Sequence, residues 1–175
     1  MASARKPGRG WRPLKVLFLC TANSARSQIA EALLNARGGG RFIAASAGSN
    51  PALRVNPLAL RELERAGVKT AGSVPKSIDA VMADEWDLII TVCDHARESC
   101  PVFPGRPPSA HWGVPDPAAV GGDDQAREAA FAQTARTIGA RLDRLIGLPV
   151  ETLDSAELEA QVRAIAEAGA RLDRD

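Results

Sequence analysis

The sequence predicts an α/β fold, with a central parallel four-stranded sheet and helices on both faces. Three observations carry this expectation. Short apolar runs such as Leu14 to Cys20 and Asp87 to Cys93 have the composition of buried parallel strands. These runs alternate with segments whose apolar residues recur at helical spacing. Right-handed crossovers then place helices on both faces of the sheet, and ligands bind outside the carboxyl ends of the strands.

The elements follow in order. Residues 1–13, "MASARKPGRGWRP", are basic and rich in Gly and Pro, and are expected to be a disordered lead-in. They lack the apolar stretch of a secretory signal. "LKVLFLC" is the first strand. In "SARSQIAEALLNARGGG", Ile29, Leu33 and Leu34 mark a helix that Gly38 to Gly40 terminate. "RFIAASAG" reads as a second strand. "NPLALRELERAG" is a helix with Asn56 as cap, Pro57 in the first turn and Gly67 at the end. "SIDAVMADEW" is a weaker helical candidate. "DLIITVC" is a strand rich in β-branched residues, and "AHWGV" a short fourth strand. Between residues 123 and 146, Phe131, Ile138, Leu142, Leu145 and Ile146 fit a long amphipathic helix. A last helix lies in "LDSAELEAQVRAIAEAGARLD", capped by Ser155 or Asp154, with Leu158, Val162, Ile165 and Leu172 on one side. Residues 14–148 thus read as one catalytic domain and 149–175 as a helical extension.

Composition narrows the function. The chain has 175 residues, 45% hydrophobic and 25% charged, with a formal net charge of +1. That balance argues against nucleic acid as the main ligand. No apolar run approaches the ~18 residues of a membrane span. Three cysteines is an odd and sparse count, unlike a secreted disulfide scaffold. A cytoplasmic location follows, where paired cysteines serve redox or metal chemistry more often than structure.

Cys20 and Cys93 both end predicted strands. If those strands are neighbours, both thiols open onto the same edge of the sheet. After Cys20 runs "TANSARS", from Thr21 through Ala22, Asn23, Ser24, Ala25 and Arg26 to Ser27. Small residues between a buried strand and a helix let backbone N–H groups turn inward as an anion nest. The helix N-terminus adds its dipole and unpaired donors. Arg26 can grip two oxyanion oxygens through its planar fork. Asn23 tolerates the left-handed backbone such a loop needs, and the Ser24 and Ser27 hydroxyls are potential donors to a thiolate. This positive surrounding is expected to lower the Cys20 pKa. The plain alternative is a buried structural cysteine in a strand-to-helix turn. Asp116, bracketed by prolines in "VPDPAAVGG", is a candidate proton donor or simply a turn residue. Cys93, His95 and Cys100 offer N and S ligands, but their spacing matches no common zinc pattern and a fourth ligand is not evident. His111 and Trp112 read as a packing feature.

Four stretches taken together are specific: "VLFLCTANSARS", "SAG" at Ser46 to Gly48, "VCDHARESCPVFPG" and "HWGVPDPA". They resemble the low-molecular-weight protein tyrosine phosphatase superfamily. Within it they look most like the three-cysteine arsenate reductases that finish with an intramolecular disulfide and draw on thioredoxin. The resemblance runs from about Leu14 to Leu148. It implies the phosphatase I-like sheet, with Cys20 as nucleophile, Arg26 as anion clamp and Asp116 as general acid. The family's phosphatases usually carry two tyrosines after the Asp-Pro pair. This chain has Ala118 and Ala119 there and no tyrosine at all. Their second loop cysteine is replaced by Ala25.

The resemblance further implies a relay. Cys20 attacks arsenate, Cys93 attacks Cys20 and releases arsenite, and Cys100 attacks Cys93 to leave a 93–100 disulfide. Cys93 and Cys100 are seven residues apart (100 − 93), about 10 Å along a helix. A disulfide needs Cα atoms within ~7 Å, so residues 94–104 are expected to rearrange with redox state. No bound cofactor is implied. The partners are arsenate, phosphate or sulfate as competing oxyanions, and thioredoxin or a similar reductant. The other readings are an aryl phosphatase with redox-protective cysteines, and a non-enzymatic sensor of oxyanions or arsenite. Some relatives bind potassium beside the loop. Asn23, Glu31 and Ser46 match that site, but its acidic partner has no counterpart, and Lys76 lies near where it would fall.

Overall fold

A computed structural model describes residues 11–172. It contains one parallel sheet in the order β2-β1-β3-β4, formed by Leu14–Cys20 (β1), Phe42–Gly48 (β2), Leu88–Thr91 (β3) and Ser109–His111 (β4). The helices are Arg26–Arg37 (α1), Pro57–Arg65 (α2), Asp94–Glu98 (α3), Asp124–Ile146 (α4) and Ser155–Leu172 (α5). Successive strand residues point to opposite faces. Val16, Leu17, Phe18 and Leu19 are all fully buried, so both faces of β1 are covered. β1 occupies the middle of the sheet, and Cys20 therefore emerges at its centre, opposite Gly48 of β2.

Local chemistry explains most element ends. Asn56 accepts from the Leu58 N–H at 2.9 Å and caps α2, with Pro57 following. Asp123 accepts from Ala126 N–H at 2.8 Å and starts α4. At α5, Asp154 accepts from Glu157 N–H (2.8 Å) while Glu157 accepts from Asp154 N–H (2.9 Å). This reciprocal capping box identifies Asp154, rather than Ser155, as the cap. Leu158, Val162 and Ile165 are buried, and α5 packs on β4 and α4. The Trp112 indole N–H donates to Val162 O at 3.0 Å, and its ring meets Phe18 at 6.4 Å. Trp112 thus pins α5 to the sheet, as a packing residue should. The side chain of Leu172 lies outside the described residues.

Three expectations need correction. "SIDAVMADEW" forms only a 3-10 turn at Ile78–Ala80. The Trp86 indole N–H donates to Val81 O at 3.0 Å, which folds the segment back on itself. β3 ends at Thr91, so Cys93 lies two residues beyond it as the N-cap of α3. The pairing nevertheless persists past the strand: Val92 N–H donates to Leu19 O (2.9 Å) and Val114 N–H to Val92 O (3.1 Å). Residues 1–10 of the basic lead-in lie outside the described residues. The rest is tied down, since Arg12 forks onto both oxygens of Asp87 at 2.8 and 2.7 Å.

Candidate active site

The loop after β1 is held by its surroundings. Thr21 O accepts from Asn50 N–H (2.9 Å), Ala22 O from Ala52 N–H (2.9 Å) and Ser24 O from Asn56 N–H (2.8 Å). In a trans peptide the C=O and the next N–H point in opposite directions. The N–H groups of Ala22, Asn23 and Ala25 are therefore aimed away from these partners. Ala25 at the N-cap of α1 offers no side-chain cap, which leaves the first helical N–H groups to other acceptors. Gly48 is required beside the loop, because a Cβ there would lie 2.3 Å from Thr21 O.

Asn23 is the pivot. It has φ +48° and is fully buried. Its Nδ2 donates to Ser27 Oγ and Ser46 Oγ, both at 2.8 Å. Its Oδ1 accepts from Lys76 N–H at 2.7 Å and from Gln28 Nε2 at 3.1 Å. Gln28 also reaches Asn23 O (3.2 Å) and Val74 O (3.0 Å). An unfavourable backbone state is kept here by saturating one buried amide.

Arg26 begins α1, and its side chain leans towards the loop after β4. Its Nη1 donates to Val114 O at 2.9 Å, and its Nη2 stands 3.8 Å from Asp116 Oδ2. The other Asp116 oxygen accepts from Ala118 N–H at 3.0 Å, capping a short 3-10 turn at Pro117–Ala119. The fold therefore brings Cys20, Arg26 and Asp116 to one end of the sheet, with the carboxylate oriented by its own turn.

Cys20 and Cys93 are both buried, and each lies near enough to shift the other's acidity. Cys93 Sγ also accepts from Ala96 N–H at 3.4 Å and lies 3.5 Å from Thr21 Oγ1. Thr21 Oγ1 in turn is 3.3 Å from His95 Nδ1. Cys100 is half-buried past the far end of α3, where its thiol makes a weak 3.6 Å contact with Pro101 O. The structure thus makes neighbours of two of the three thiols and sets the third past the far end of a short helix.

The thiol acidities reverse one expectation. Burial pushes the Cys20 pKa up to about 11, against the opposing pull of Arg26, and the Cys93 neighbour raises it further. The reason is geometric: Cys20 is only 4% exposed. For Cys93, burial again pushes upward, but hydrogen bonds with Thr21 and Ala96, the neighbouring Cys20 and the Arg26 charge outweigh it and lower its pKa. Burial raises Cys100. The more acidic thiol of the neighbouring pair is therefore Cys93.

Other residues enter the site that the sequence pattern did not single out. Gln28 reaches the loop through long-range placement, and no local motif marks it; Lys76, noted in the sequence only for lying near the missing acidic partner of a potassium site, reaches it the same way. His111 is more than packing. Its Nδ1 is 2.8 Å from Thr91 Oγ1 and its Nε2 is 2.9 Å from Asp94 Oδ1, which ties the first turn of α3 to the sheet. Among the described residues, no group of three or more His, Cys, Asp or Glu side chains is placed to hold a metal ion. No described helix is long and apolar enough to cross a membrane.

Comparison with known proteins agrees with this geometry. An arsenate reductase of Halalkalibacterium halodurans is 35% identical over 127 residues, 73% of this chain and 91% of the relative. The crystal structure of an arsenate reductase from Archaeoglobus fulgidus superposes with a TM-score of 0.61 at 37% identity, covering 76% of this chain and 99% of that one. A thioredoxin-dependent arsenate reductase of Corynebacterium glutamicum superposes with a TM-score of 0.54 at 30% identity, covering 77% of this chain and 64% of that one. Residues 15–164 match the family described as low molecular weight phosphotyrosine protein phosphatase, and the chain belongs to that family.

Proposed function

We propose that this protein reduces arsenate to arsenite by a relay of Cys20, Cys93 and Cys100, with a dithiol protein of the thioredoxin type as reductant in the cytoplasm. The observation that carries the reading is the buried pair Cys20–Cys93, near enough for each to shift the other's acidity, beside the loop of residues 21–27. A phosphatase needs one thiol there, whereas a reductase needs two within reach.

The oxyanion sits in the loop of residues 21–27, against the inward N–H groups and the α1 N-terminus, with Arg26 gripping two oxygens. Cys20 attacks arsenic and an oxygen leaves as water, protonated by Asp116. At a pKa near 11, only about one Cys20 in 10⁴ is ionised at pH 7. Its proton therefore leaves as it reacts. Cys93 is the adjoining acceptor, and the Thr21 hydroxyl offers a path onward to His95. The Cys93 thiolate then attacks Cys20 Sγ. The S–As bond breaks and its electron pair stays on arsenic, which falls from arsenic(V) to arsenic(III) and departs as arsenite. A Cys20–Cys93 disulfide remains. Cys100 attacks Cys93, frees Cys20, and leaves a 93–100 disulfide for the external dithiol to reduce.

Cys93 caps the start of α3 and Cys100 follows its end. That separation exceeds disulfide reach if the helix persists, so α3 unwinds during the last internal step. A single-turnover experiment without reductant tests the reading. Reduced protein with excess arsenate should release about one arsenite and lose two thiols per chain, with a 93–100 bond by mass mapping. Cys100→Ser should trap the 20–93 disulfide, and Cys93→Ser should release almost no arsenite. Intact thiols with steady aryl phosphate hydrolysis would replace the reductase reading by a phosphatase.

A further inference from the structure

A strap that the relay does not use runs beneath the loop. Val74 O accepts from Gln28, Lys76 N–H donates to Asn23 Oδ1, and Lys76 O accepts from Gly48 N–H at 2.8 Å. Ser77 bridges to Gly48 in parallel fashion. The backbone of Lys76 is thus fixed between the loop and β2. Its side chain reaches Glu31 of α1, with Nζ 3.3 Å from Oε2 and the two side chains only 30% and 22% exposed. The same Glu31 oxygen accepts from the Ser46 hydroxyl. Ser46 Oγ accepts from Asn23 Nδ2 at 2.8 Å. A closed circuit results: Lys76 ammonium, Glu31, Ser46, Asn23, and back to the Lys76 N–H.

Asn23, Glu31 and Ser46 are oxygen-bearing residues of the kind that hold a hard cation. A partly buried carboxylate needs a positive partner, since leaving it alone costs its desolvation. Here the partner is already tethered. An alkali ion on Glu31 Oε2 would sit against the Lys76 ammonium, and like charges at that range repel. The residues therefore do not fit a resident potassium ion.

We propose that Lys76 is the built-in counter-cation of the loop, a positioning residue that holds Glu31, Ser46 and the left-handed Asn23 in the oxyanion-ready shape. It makes the protein independent of free alkali cations. Removing the ammonium converts the same oxygens into a site that needs one. The inference rests on the reading of residues 21–27 as an oxyanion cradle, but not on arsenate reduction.

The test uses Lys76→Gln, which keeps the backbone N–H to Asn23 and removes only the charge. The readout is protection of Cys20 from iodoacetamide by inorganic phosphate, followed by mass mapping of the Cys20 peptide. Protection is titrated in choline chloride and in potassium chloride at equal ionic strength. Wild type should show the same midpoint in both salts. Lys76→Gln should need about tenfold more phosphate in choline, the usual scale for losing a supporting partner, and should regain the wild-type midpoint in potassium. Glu31→Gln with Lys76→Gln, which lacks both charges, should show no potassium response. A wild-type midpoint that depends on potassium would overturn the proposal. So would a Lys76→Gln loss that potassium does not restore, or no loss at all. A potassium response in the double variant would place the ion elsewhere and have the same force. Absence of phosphate protection in wild type would overturn both the cradle and this proposal. Arsenite release plays no part in the readout, so failure of the reductase reading is told apart from failure here.

Discussion

Two turns leave the carboxyl end of the sheet side by side, and they are built in opposite ways. The turn after β1 has its carbonyls engaged from outside and its central Asn23 saturated on both ends of the amide. The turn after β3 carries a five-residue helix, whose cap is a thiol and whose end is marked by Ser99 donating to His95 O at 2.7 Å. The first turn resembles a mould and the second a hinge. The difference teaches how one sheet edge can host a fixed oxyanion cradle and a travelling disulfide. The reacting nucleophile needs geometry, while the resolving thiols need freedom to meet.

The comparison can be broken most severely at Arg26. Arg26→Lys keeps the charge but loses the fork, and single-turnover arsenite release should fall by about 10²-fold or more. Arg97→Lys, within α3, should leave that rate unchanged. Next comes the mould itself. Asn23→Ala strands Gln28, Ser46 and the Lys76 N–H, and should cost about 2–4 kcal/mol in denaturant unfolding. A loss as small as that of a hinge variant would show that the two turns are equally pliant.

The pH dependence separates the two neighbouring thiols. Cys20 titrates near 11 when folded against an ordinary 9.0. The folded state binds its proton more tightly, so its contribution is complete below pH 9 and is lost as pH rises towards 11. Over that range stability should fall by roughly 2–3 kcal/mol, and Cys20→Ala should flatten the decline. Cys93 is shifted the other way, so its contribution holds above its ordinary pKa and fades as pH falls through its folded one. Thr21→Val keeps the side-chain shape but removes the hydroxyl. The pH midpoint for alkylation of Cys93 should then rise, because the Thr21 hydroxyl is one of the groups that lower it. Smallest of all, Ser99→Ala in the hinge should change stability by no more than about 0.5 kcal/mol.

The parts of the fold that were legible in the sequence are those governed by local rules. The apolar runs became β1 and β3, and Asn56 and Asp123 cap α2 and α4 as side chains of their type do. The segment after Lys76 was not legible. Ile78, Val81 and Met82 have helical spacing, yet the turn at Ile78–Ala80 ends at once and Trp86 holds the chain folded back. In the site, Cys20, Arg26 and Asp116 could be read from motifs, and the structure brings them together. The acidity of Cys20 could not. A motif shows the nearby arginine but not the depth of burial. Gln28 acts through contacts between distant segments that no spacing rule announces, and the sequence pointed to Lys76 and His95 without showing the long-range contacts they make.

Cys93 is the cap of α3 and, in the relay proposed above, also a reacting thiol, and this double use would give the sequence of events a direction. A sulfur bound to Cys20 is no longer a thiolate and accepts poorly from the Ala96 N–H. Losing a helix cap costs about 1 kcal/mol, and a helix as short as α3 has little reserve against that loss. Forming the first disulfide thus weakens the spacer that keeps the third thiol away. The relay works as a ratchet, in which each bond formed removes the obstacle to the next.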